Sequence, residues 1–298
     1  MTWIFLAILA HFFWALVNIG DKYAISNKIK NPYVYLVWLT WMGIITVFLI
    51  PFVNFSIPPT NIMLLLILSA GVYFYGGLPY VKAVQIEEIT RVNIWWNLIP
   101  FFSLFIGWIF IGEKLILSEL AALFILVLGA VVASFHFKRR AIVFSKALWL
   151  MVIACFSYAI YAVIFRYITQ VIPFVEAFIW FSLFMIIFSF SMFISKRFRK
   201  DFIREYKHLD FKLGGVVAGV SILDNVGIFF NIWALSLGPA ALVFAFEGTQ
   251  VLFVFIMATL LSIFFPKIIK EELDKRNVIL KIVALVIMVV GILILNLG

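Results

Sequence analysis

The sequence predicts an all-α polytopic membrane protein with ten transmembrane helices, arranged as two inverted repeats of five helices. Apolar residues make up 66% of the 298 residues and charged residues only 12%, whereas soluble domains are about 45–50% apolar and 25% charged. This composition excludes a soluble globular protein, a disordered chain and, despite the formal net charge of +9, a nucleic-acid binder. The apolar runs are continuous rather than alternating, which excludes an outer-membrane barrel.

Apolar runs long enough to cross a bilayer recur ten times, since one membrane helix needs about 20 apolar residues. The predicted spans are residues 3–22, 32–53, 60–83, 88–111, 115–136, 146–166, 173–195, 211–236, 239–265 and 277–297. Pro32, Pro173 and Pro239 stand where helices begin, a position that proline favours. Pro100 lies inside the fourth span and predicts a kink there.

The basic residues predict the orientation of the chain. Of the 23 Lys and Arg residues, only Lys114 and Arg166 fall on the side of the two termini, which leaves 21 on the other side. Basic residues in short loops stay cytoplasmic, so both termini are predicted to face outside a cell membrane, either an inner or a plasma membrane. Contact of these loops with anionic membrane lipids is an alternative, but a role in orientation alone is favoured.

The two halves of the chain, residues 1–140 and 141–298, resemble each other weakly but in order. Aligning Ala83 with Ala234 brings the fourth span onto the ninth, and Gly129 and Gly291 occupy similar places near the ends of the fifth and tenth. Five spans in each half give the halves opposite orientations. Inverted repeats are a transporter architecture, with the substrate site near the bilayer midplane.

Several short motifs of the first half carry a family resemblance. They are Trp14-Ala-Leu-Val-Asn18, Ala83, Pro100, Gly107, Ile111-Gly112-Glu113-Lys114 and Gly129. With them the chain resembles the drug/metabolite transporter superfamily, specifically its ten-helix EamA type. The resemblance implies cytoplasmic termini. The charge distribution predicts the opposite orientation, and we follow the charge distribution. In the second half, the polar insertion at 264–272 departs from the expected Gly-Glu pair.

Polar residues deep inside the spans are the best candidates for function, because burying them in hydrocarbon is costly. Glu247 and Gln250 lie one turn apart in the ninth span, and Asp224 and Asn231 lie two turns apart in the eighth. No Lys or Arg maps to a comparable depth. Unpaired carboxylates there predict proton coupling, a cationic substrate or both. The alternative is that each is protonated and hydrogen-bonded to a neighbouring helix.

The first span carries a polar stripe. His11, Trp14 and Asn18 follow one another at spacings of three and four, which places them on one helix face and predicts that they line a pore. His11 titrates near neutral pH and is either a proton carrier or a satisfied packing group. Asp21 continues the stripe and is predicted to lie at the membrane edge.

Aromatic residues form 18% of the chain, and most are expected to face lipid or the bundle interior. A few could form a cage for an organic cation. The candidates are Trp14, Tyr75, Trp96, Tyr158 and Tyr161. Trp96 and Asn97 stand one turn before Pro100, where a kinked helix would present groups to a ligand.

A charged cluster lies at the start of the fourth span. Glu87 and Glu88 precede Arg91 by four and three residues, spacings that support ion pairs within a helix. The cluster is interpreted either as a paired group at the membrane surface or as a cytoplasmic gate that forms new pairs during alternating access. The small pair Gly215 and Gly219 is predicted to serve internal helix packing.

Together these features predict a secondary active transporter that moves a small metabolite by alternating access, either with or without coupling to protons. Amines, amino acids and organic cations are the favoured substrates. The alternatives are a flippase for lipids or lipid-linked sugars and, less favoured because no catalytic motif occurs, a membrane-embedded enzyme. No catalytic residue, metal, cofactor or nucleic-acid partner is predicted, and the protein is expected to be a monomer or a homodimer.

Overall fold

The structure is a computed structural model, and it describes residues 2–27, 29–87, 92, 95–134, 146–264 and 275–297. This part of the chain is helical and contains no strand. Its α-helices are α1 (Thr2–Asn27), α2 (Pro32–Trp41), α3 (Thr60–Ile86), α4 (Leu98–Ile111), α5 (Leu117–Ser134), α6 (Lys146–Ile168), α7 (Phe174–Phe190), α8 (Lys196–Lys207), α9 (Phe211–Leu237), α10 (Ala240–Ala245), α11 (Glu247–Phe264) and α12 (Lys275–Leu297). The 3₁₀ segments Met42–Phe52 and Ser191–Ile194 extend α2 and α7.

Eight of the described segments are long and apolar enough to cross a bilayer, and α4 and α5 are shorter apolar helices. Because a membrane contains no water to satisfy free backbone groups, such helices satisfy them internally. The protein is therefore a multi-pass membrane protein. Counting the two shorter helices as spans would give the predicted ten, and that count stays a prediction.

Capping residues set the positions of several helix starts. The side chain of Asn31 accepts a hydrogen bond from the backbone nitrogen of Tyr33, and Pro32 supplies the first residue of α2. Asp210 caps α9 in the same way by accepting from the nitrogen of Leu213 at 2.6 Å. These side chains satisfy backbone donors that have no partner within the helix.

Helices from the first half of the chain pack along helices from the second half in three pairs. Helix α1 packs along α9 and α3 packs along α6, while α5 packs against α12. Glycines allow the closest approach between α5 and α12: a Cβ at Gly129 would lie 2.7 Å from Met288 Cγ, and one at Gly291 would lie 2.9 Å from Leu126 Cγ. Small residues at such contacts let helix backbones approach closely.

Two interruptions divide the chain near the centre of the bundle. One is the turn at Trp96 and Asn97, after which α4 begins at Leu98. Pro100 is thus the third residue of a helix, where its missing N–H has no intrahelical partner to lose. The interruption lies at Trp96 and Asn97, one turn before this proline, which is where the sequence places the effect of the kink. The second interruption is Phe246, between α10 and α11.

One further prediction from spacing is not tested and another is wrong. Glu87 ends α3 in an extended conformation, with its nitrogen donating to the carbonyl of Ala83. Glu88 and Arg91 lie outside the described residues, so the ion pairs of this cluster stay a prediction. No described atom lies within 4 Å of a Cβ built at Gly215 or Gly219, so this pair does not serve internal packing.

Candidate functional site

A cavity lies inside the bundle and receives side chains from most of its helices. It has a volume of about 130 Å³. Polar and aromatic groups from α1, α2, α3, α6 and α9 line it, together with residues at the two interruptions before α4 and α11. Its carboxylate-bearing residues are Asp21, Asp224 and Glu247, and no Lys or Arg appears among the described residues that line it.

Glu247 is the first residue of α11 and reaches the cavity from the second interruption. Its Oε2 atom lies 3.1 Å from Nε2 of His11, which is fully buried on α1. The other ring nitrogen, Nδ1, lies 2.8 Å from the carbonyl oxygen of Ala7. Because a carbonyl can only accept, Nδ1 carries a hydrogen. Nε2 and the Glu247 carboxyl group must therefore share a proton, which sits on one or the other.

Asp224 lies on α9, the helix that packs along α1, and it also lines the cavity. Trp14 donates from its indole nitrogen to Oδ1 of Asp224 over 3.1 Å. The same indole contacts the ring of His11 edge-to-face, with 5.4 Å between the ring centroids. A continuous row of contacts thus runs from Asp224 through Trp14 and His11 to Glu247.

Asp21 is the third acidic residue of the cavity, and the sequence placed it at the membrane edge. The apolar span of α1 ends at Asp21 although the helix itself continues to Asn27, so the position at the membrane edge stays a prediction. The residue is buried, and the hydroxyl of Tyr35 donates a hydrogen bond to its Oδ1 atom. Tyr35, on α2, was not a candidate from the sequence, because neither spacing nor a motif connects it with Asp21.

Aromatic rings form one wall of the cavity. The ring centroid of Tyr73 lies 4.6 Å from that of Tyr158, which lies 5.3 Å from that of Trp96. Tyr80 continues the wall at 4.9 Å from Trp96. All four line the cavity beside Trp14. The negative faces of such rings attract cations, and tyrosine hydroxyls add donors and acceptors at the same surface.

Seven of the residues selected from the sequence line this cavity. They are Trp14, Asn18, Trp96, Tyr158, Asp224, Glu247 and Gln250. Asn18 is buried, and its Nδ2 atom has no hydrogen-bond partner within the described residues. A buried donor without a partner costs free energy, so a ligand with an acceptor group at this position would be stabilised.

The remaining candidates lie behind the cavity or away from it. His11 and Tyr161 are buried in the layer behind, and Tyr161 donates to Oδ1 of Asn231 over 3.4 Å. Asn97 is buried beside Trp96. Tyr75 lies on the exposed side of α3, where its hydroxyl is 2.8 Å from that of Ser191, so the structure does not place it in this site.

Of the three residues of the predicted gate, the structure describes only Glu87. Glu87 forms the end of α3, and Glu88 and Arg91 lie outside the described residues. The polar insertion of the second half also lies largely outside them, since residues 265–274 are not described. The structure therefore gives no geometry for either feature.

A separate ionic cluster ties several helix ends together on the side of the termini. Nε of Arg166 lies 3.2 Å from Oε1 of Glu113, and its Nη1 donates to the carbonyls of Leu235 and Ser236. The backbone nitrogen of Ala240 donates to the other oxygen of Glu113 over 3.2 Å. Burial raises the pKa of the Glu113 carboxyl above its ordinary value, while Arg166 and the Ala240 N–H act in the opposite direction.

The N-terminal part of the chain matches a known class of membrane transporter. Residues 1–135 match the sequence model of the EamA-like transporter family. The match covers slightly less than half of the chain, and it confirms the resemblance to the drug/metabolite transporter superfamily that the motifs of the first half carry. Nothing in a comparison with curated protein sequences matches the chain.

The fold also occurs in solved structures. One, titled "Crystal structure of protein", has a TM-score of 0.67 and 14% sequence identity, over 99% of this chain and 97% of the other. At this level of identity the likeness shows a shared fold alone.

Proposed function

We propose that the protein is a secondary transporter that carries a small amine or organic cation across the membrane and exchanges it for protons. The observation that carries this proposal is the cavity itself, where the buried carboxyl groups of Asp21 and Glu247, the half-buried one of Asp224 and an aromatic wall meet, and no described Lys or Arg lines the space. Unbalanced carboxylates in a low-dielectric site favour a cation or a proton. An amino acid substrate would need a partner for its own carboxylate, and the described lining offers neutral donors such as Asn18 and Gln250 but no Lys or Arg.

The aromatic wall supports a cation over a neutral substrate. Trp14, Tyr73, Trp96 and Tyr158 surround the space beside Asp224 with π faces and hydroxyl groups. Cation–π attraction strengthens when water is excluded, and the Asp224 carboxylate would supply the opposite charge. Trp14 keeps that carboxylate in place through its indole hydrogen bond.

Proton exchange follows from the contact between Glu247 and His11. This pair holds a shared proton, and Glu247 also faces the cavity. A bound cation near Glu247 favours the carboxylate, and an additional proton favours the neutral acid. A cation and an extra proton therefore compete for the same group, which is the requirement for exchange transport.

Two inverted repeats, residues 1–140 and 141–298, would supply the two conformations that alternating access needs. Support comes from α3 and α9, which both contain 27 residues and both end with a nitrogen donating to an alanine carbonyl four residues earlier, Ala83 and Ala234. The interruptions before α4 and before α11 follow these ends at similar distances. Reciprocal packing of α1 on α9 and of α3 on α6 is the pattern expected from two interlocked repeats.

We propose that the protein resides in a cell membrane with both termini outside, as the distribution of basic residues favours. The Arg166–Glu113 cluster then lies on the outer side and would have to open there during transport. The Glu87, Glu88 and Arg91 gate remains a proposal for the cytoplasmic side. A reporter enzyme that is active only in the cytoplasm, fused to Gly298, would contradict this orientation if it were active.

The substrate class can be tested with purified protein in vesicles of phosphatidylethanolamine and phosphatidylglycerol. Tetraethylammonium and a primary amine are compared with glutamate and glucose, first by thermal shift, since a ligand stabilises the state it binds, and then by uptake. The cations should raise the unfolding temperature and accumulate. Uptake of glutamate or glucose without uptake of either cation would contradict the proposal.

Two variants separate binding from coupling. Asp224→Asn should weaken cation binding by about tenfold or more, equivalent to at least ~1.4 kcal/mol. Glu176→Gln is the control, because Glu176 is another acid of the bundle, but it accepts a hydrogen bond from Ser56 and does not line the cavity. An acidic vesicle interior should accelerate cation uptake, and Glu247→Gln should abolish this acceleration. Unchanged pH dependence in Glu247→Gln would exclude the coupling role.

A further inference from the structure

Helix α8 differs from every other long helix of the described chain because it is strongly polar. Its sequence, KRFRKDFIREYK, contains six Lys and Arg residues and two acids. It begins after Ser195, directly beyond the membrane segment that ends at Ile194, and only residues 208–210 separate it from the next membrane segment, which begins at Phe211. With so little chain on either side, α8 must lie at the membrane surface.

One face of α8 is fixed to the bundle. Phe198 and Phe202 pack against Phe193, and Phe202 also contacts the rings of Trp38 and Trp41. With this face packed against the bundle, the other side of the helix points away from the protein.

The two acids of α8 are engaged on the protein side. Asp201 accepts from Nδ2 of Asn31 at 2.9 Å, and Glu205 is buried next to the backbone nitrogen of Lys30. Arg204 also lies within 4 Å of both acids. Neither acid is therefore available to neutralise the outward-facing basic residues.

The outward face is basic and has no partner in the described chain. Lys196, Lys200 and Lys207 follow at spacings of four and seven, which places them on one stripe of the helix. All three are exposed, as are Arg197 and Arg199, and none of the five forms an ion pair with a described residue.

Exposed apolar side chains lie beside this basic stripe. Ile203 and Tyr206, three residues apart on α8, expose 55% and 64% of their surface, and Phe211 exposes 99%. A helix with basic residues on one side and exposed apolar residues next to them lies in the interface between headgroups and acyl chains. Anionic headgroups attract such basic residues over about a Debye length.

We infer that α8 is a binding site for anionic phospholipids of the adjacent leaflet. Phosphate groups would bind along Lys196, Lys200 and Lys207, while Ile203, Tyr206 and Phe211 enter the acyl region. The site holds the ends of the segments before and after it, α7 and α9, at the membrane surface. This inference does not depend on the transported substrate or on proton coupling.

The test compares lipids in their effect on the unfolding temperature of the detergent-purified protein. Phosphatidylglycerol should raise this temperature more than phosphatidylcholine at equal concentration, and added salt should reduce the difference. The triple variant Lys196→Gln/Lys200→Gln/Lys207→Gln should lose about half of the phosphatidylglycerol-specific shift, since it removes half of the basic residues of α8. Inorganic phosphate should have no comparable effect, because it lacks the acyl chains that the apolar side chains require.

A control variant removes the same charge elsewhere at this end of the protein. Lys82→Gln/Lys146→Gln/Lys212→Gln should keep most of the lipid-specific shift. The corresponding triple Lys→Arg variant of α8 should keep it fully, and this variant shows whether a loss comes from altered charge or from misfolding. Equal shifts for both phospholipids, an unchanged shift in the α8 Gln variant, or an equal loss in the control variant would each overturn the proposal.

Discussion

Nε2 of His11 lies 3.1 Å from Oε2 of Glu247, although 236 residues separate them in the chain. The contact joins the first helix to the start of α11, directly after the interruption at Phe246. Because Nδ1 is committed to the carbonyl of Ala7, the proton between His11 and Glu247 belongs to the pair. A titratable contact between two helices that pack together provides a direct connection between protonation and helix position.

The two nitrogens of His11 can be tested separately. Asparagine places its amide nitrogen near the position of Nδ1, so His11→Asn should keep the bond to Ala7 and lose the contact with Glu247. Glutamine reaches the position of Nε2, so His11→Gln should keep that contact in a form that does not titrate. Both variants should lose the stimulation of cation uptake by an acidic vesicle interior, measured as the ratio of initial rates with and without the gradient. A ratio equal to that of the unmodified protein in either variant would contradict the role of Nε2.

A second prediction concerns the hydrogen bond between Tyr35 and Asp21. Removing the hydroxyl in Tyr35→Phe leaves a buried carboxyl group without this donor, which costs about 1–3 kcal/mol. Tyr75→Phe is the matched control, since its bond to Ser191 is exposed and should contribute about 1 kcal/mol or less. Thermal unfolding in detergent measures both variants. Tyr75→Phe should also leave transport unchanged. A strong loss of uptake in this variant would show that Tyr75 contributes to the substrate site.

The third prediction follows from the pKa of Glu113, which burial raises above the ordinary value of 4.5. A carboxyl group with a raised pKa in the folded state binds protons more readily there than in the unfolded state. Its contribution to stability is therefore fully present below pH 4.5 and is lost as the pH rises through the folded-state pKa. Glu113→Gln should remove this dependence, so the unfolding temperatures of the unmodified protein and the variant should diverge in favour of the unmodified protein as the pH falls.

Arg166→Gln provides the complementary measurement. It leaves the Glu113 carboxylate without its guanidinium partner and removes the bonds to the carbonyls of Leu235 and Ser236. At neutral pH it should lower the unfolding temperature more than Glu113→Gln, because each variant leaves one charge of the pair without its partner but only Arg166→Gln also removes the two bonds to the carbonyls. Equal effects of the two variants would show that the ion pair acts only as a unit.

The sequence was sufficient to predict the helical membrane fold, because length and hydropathy alone select such helices. It also located Trp14, Asp224 and Glu247, since polar groups inside apolar runs stand out wherever they occur. In both cases the signal is local, and the fold brings those three residues to one cavity through contacts between α1, α9 and α11.

The features that the sequence missed depend on where helices end and on how they pack. Asp21 was not predicted to line the cavity, because nothing in the sequence shows that its carboxyl group meets Tyr35 of α2. Tyr35 has no spacing relationship to Asp21, and the break at Phe246 occurs in a fully apolar stretch without proline or glycine at that position. Such breaks arise from tertiary contacts rather than from local propensity.

The last prediction tests the packing that holds the second interruption in place. A Cβ at Gly248 would lie 2.5 Å from the Cβ of Ala130 and 2.7 Å from its Cα, so the neighbouring backbone of α5 would have to move. Overpacking of this kind typically costs about 1–3 kcal/mol, and because Gly248 follows Glu247 directly, Gly248→Ala should also displace Glu247 from His11. We expect a lower unfolding temperature together with weaker pH stimulation of uptake. Gly215→Ala is the control: its Cβ meets no described atom within 4 Å, and alanine should stabilise α9 by about 0.5–1 kcal/mol. If Gly248→Ala were as stable as Gly215→Ala and kept its pH response, the close contact between α11 and α5 would not position Glu247.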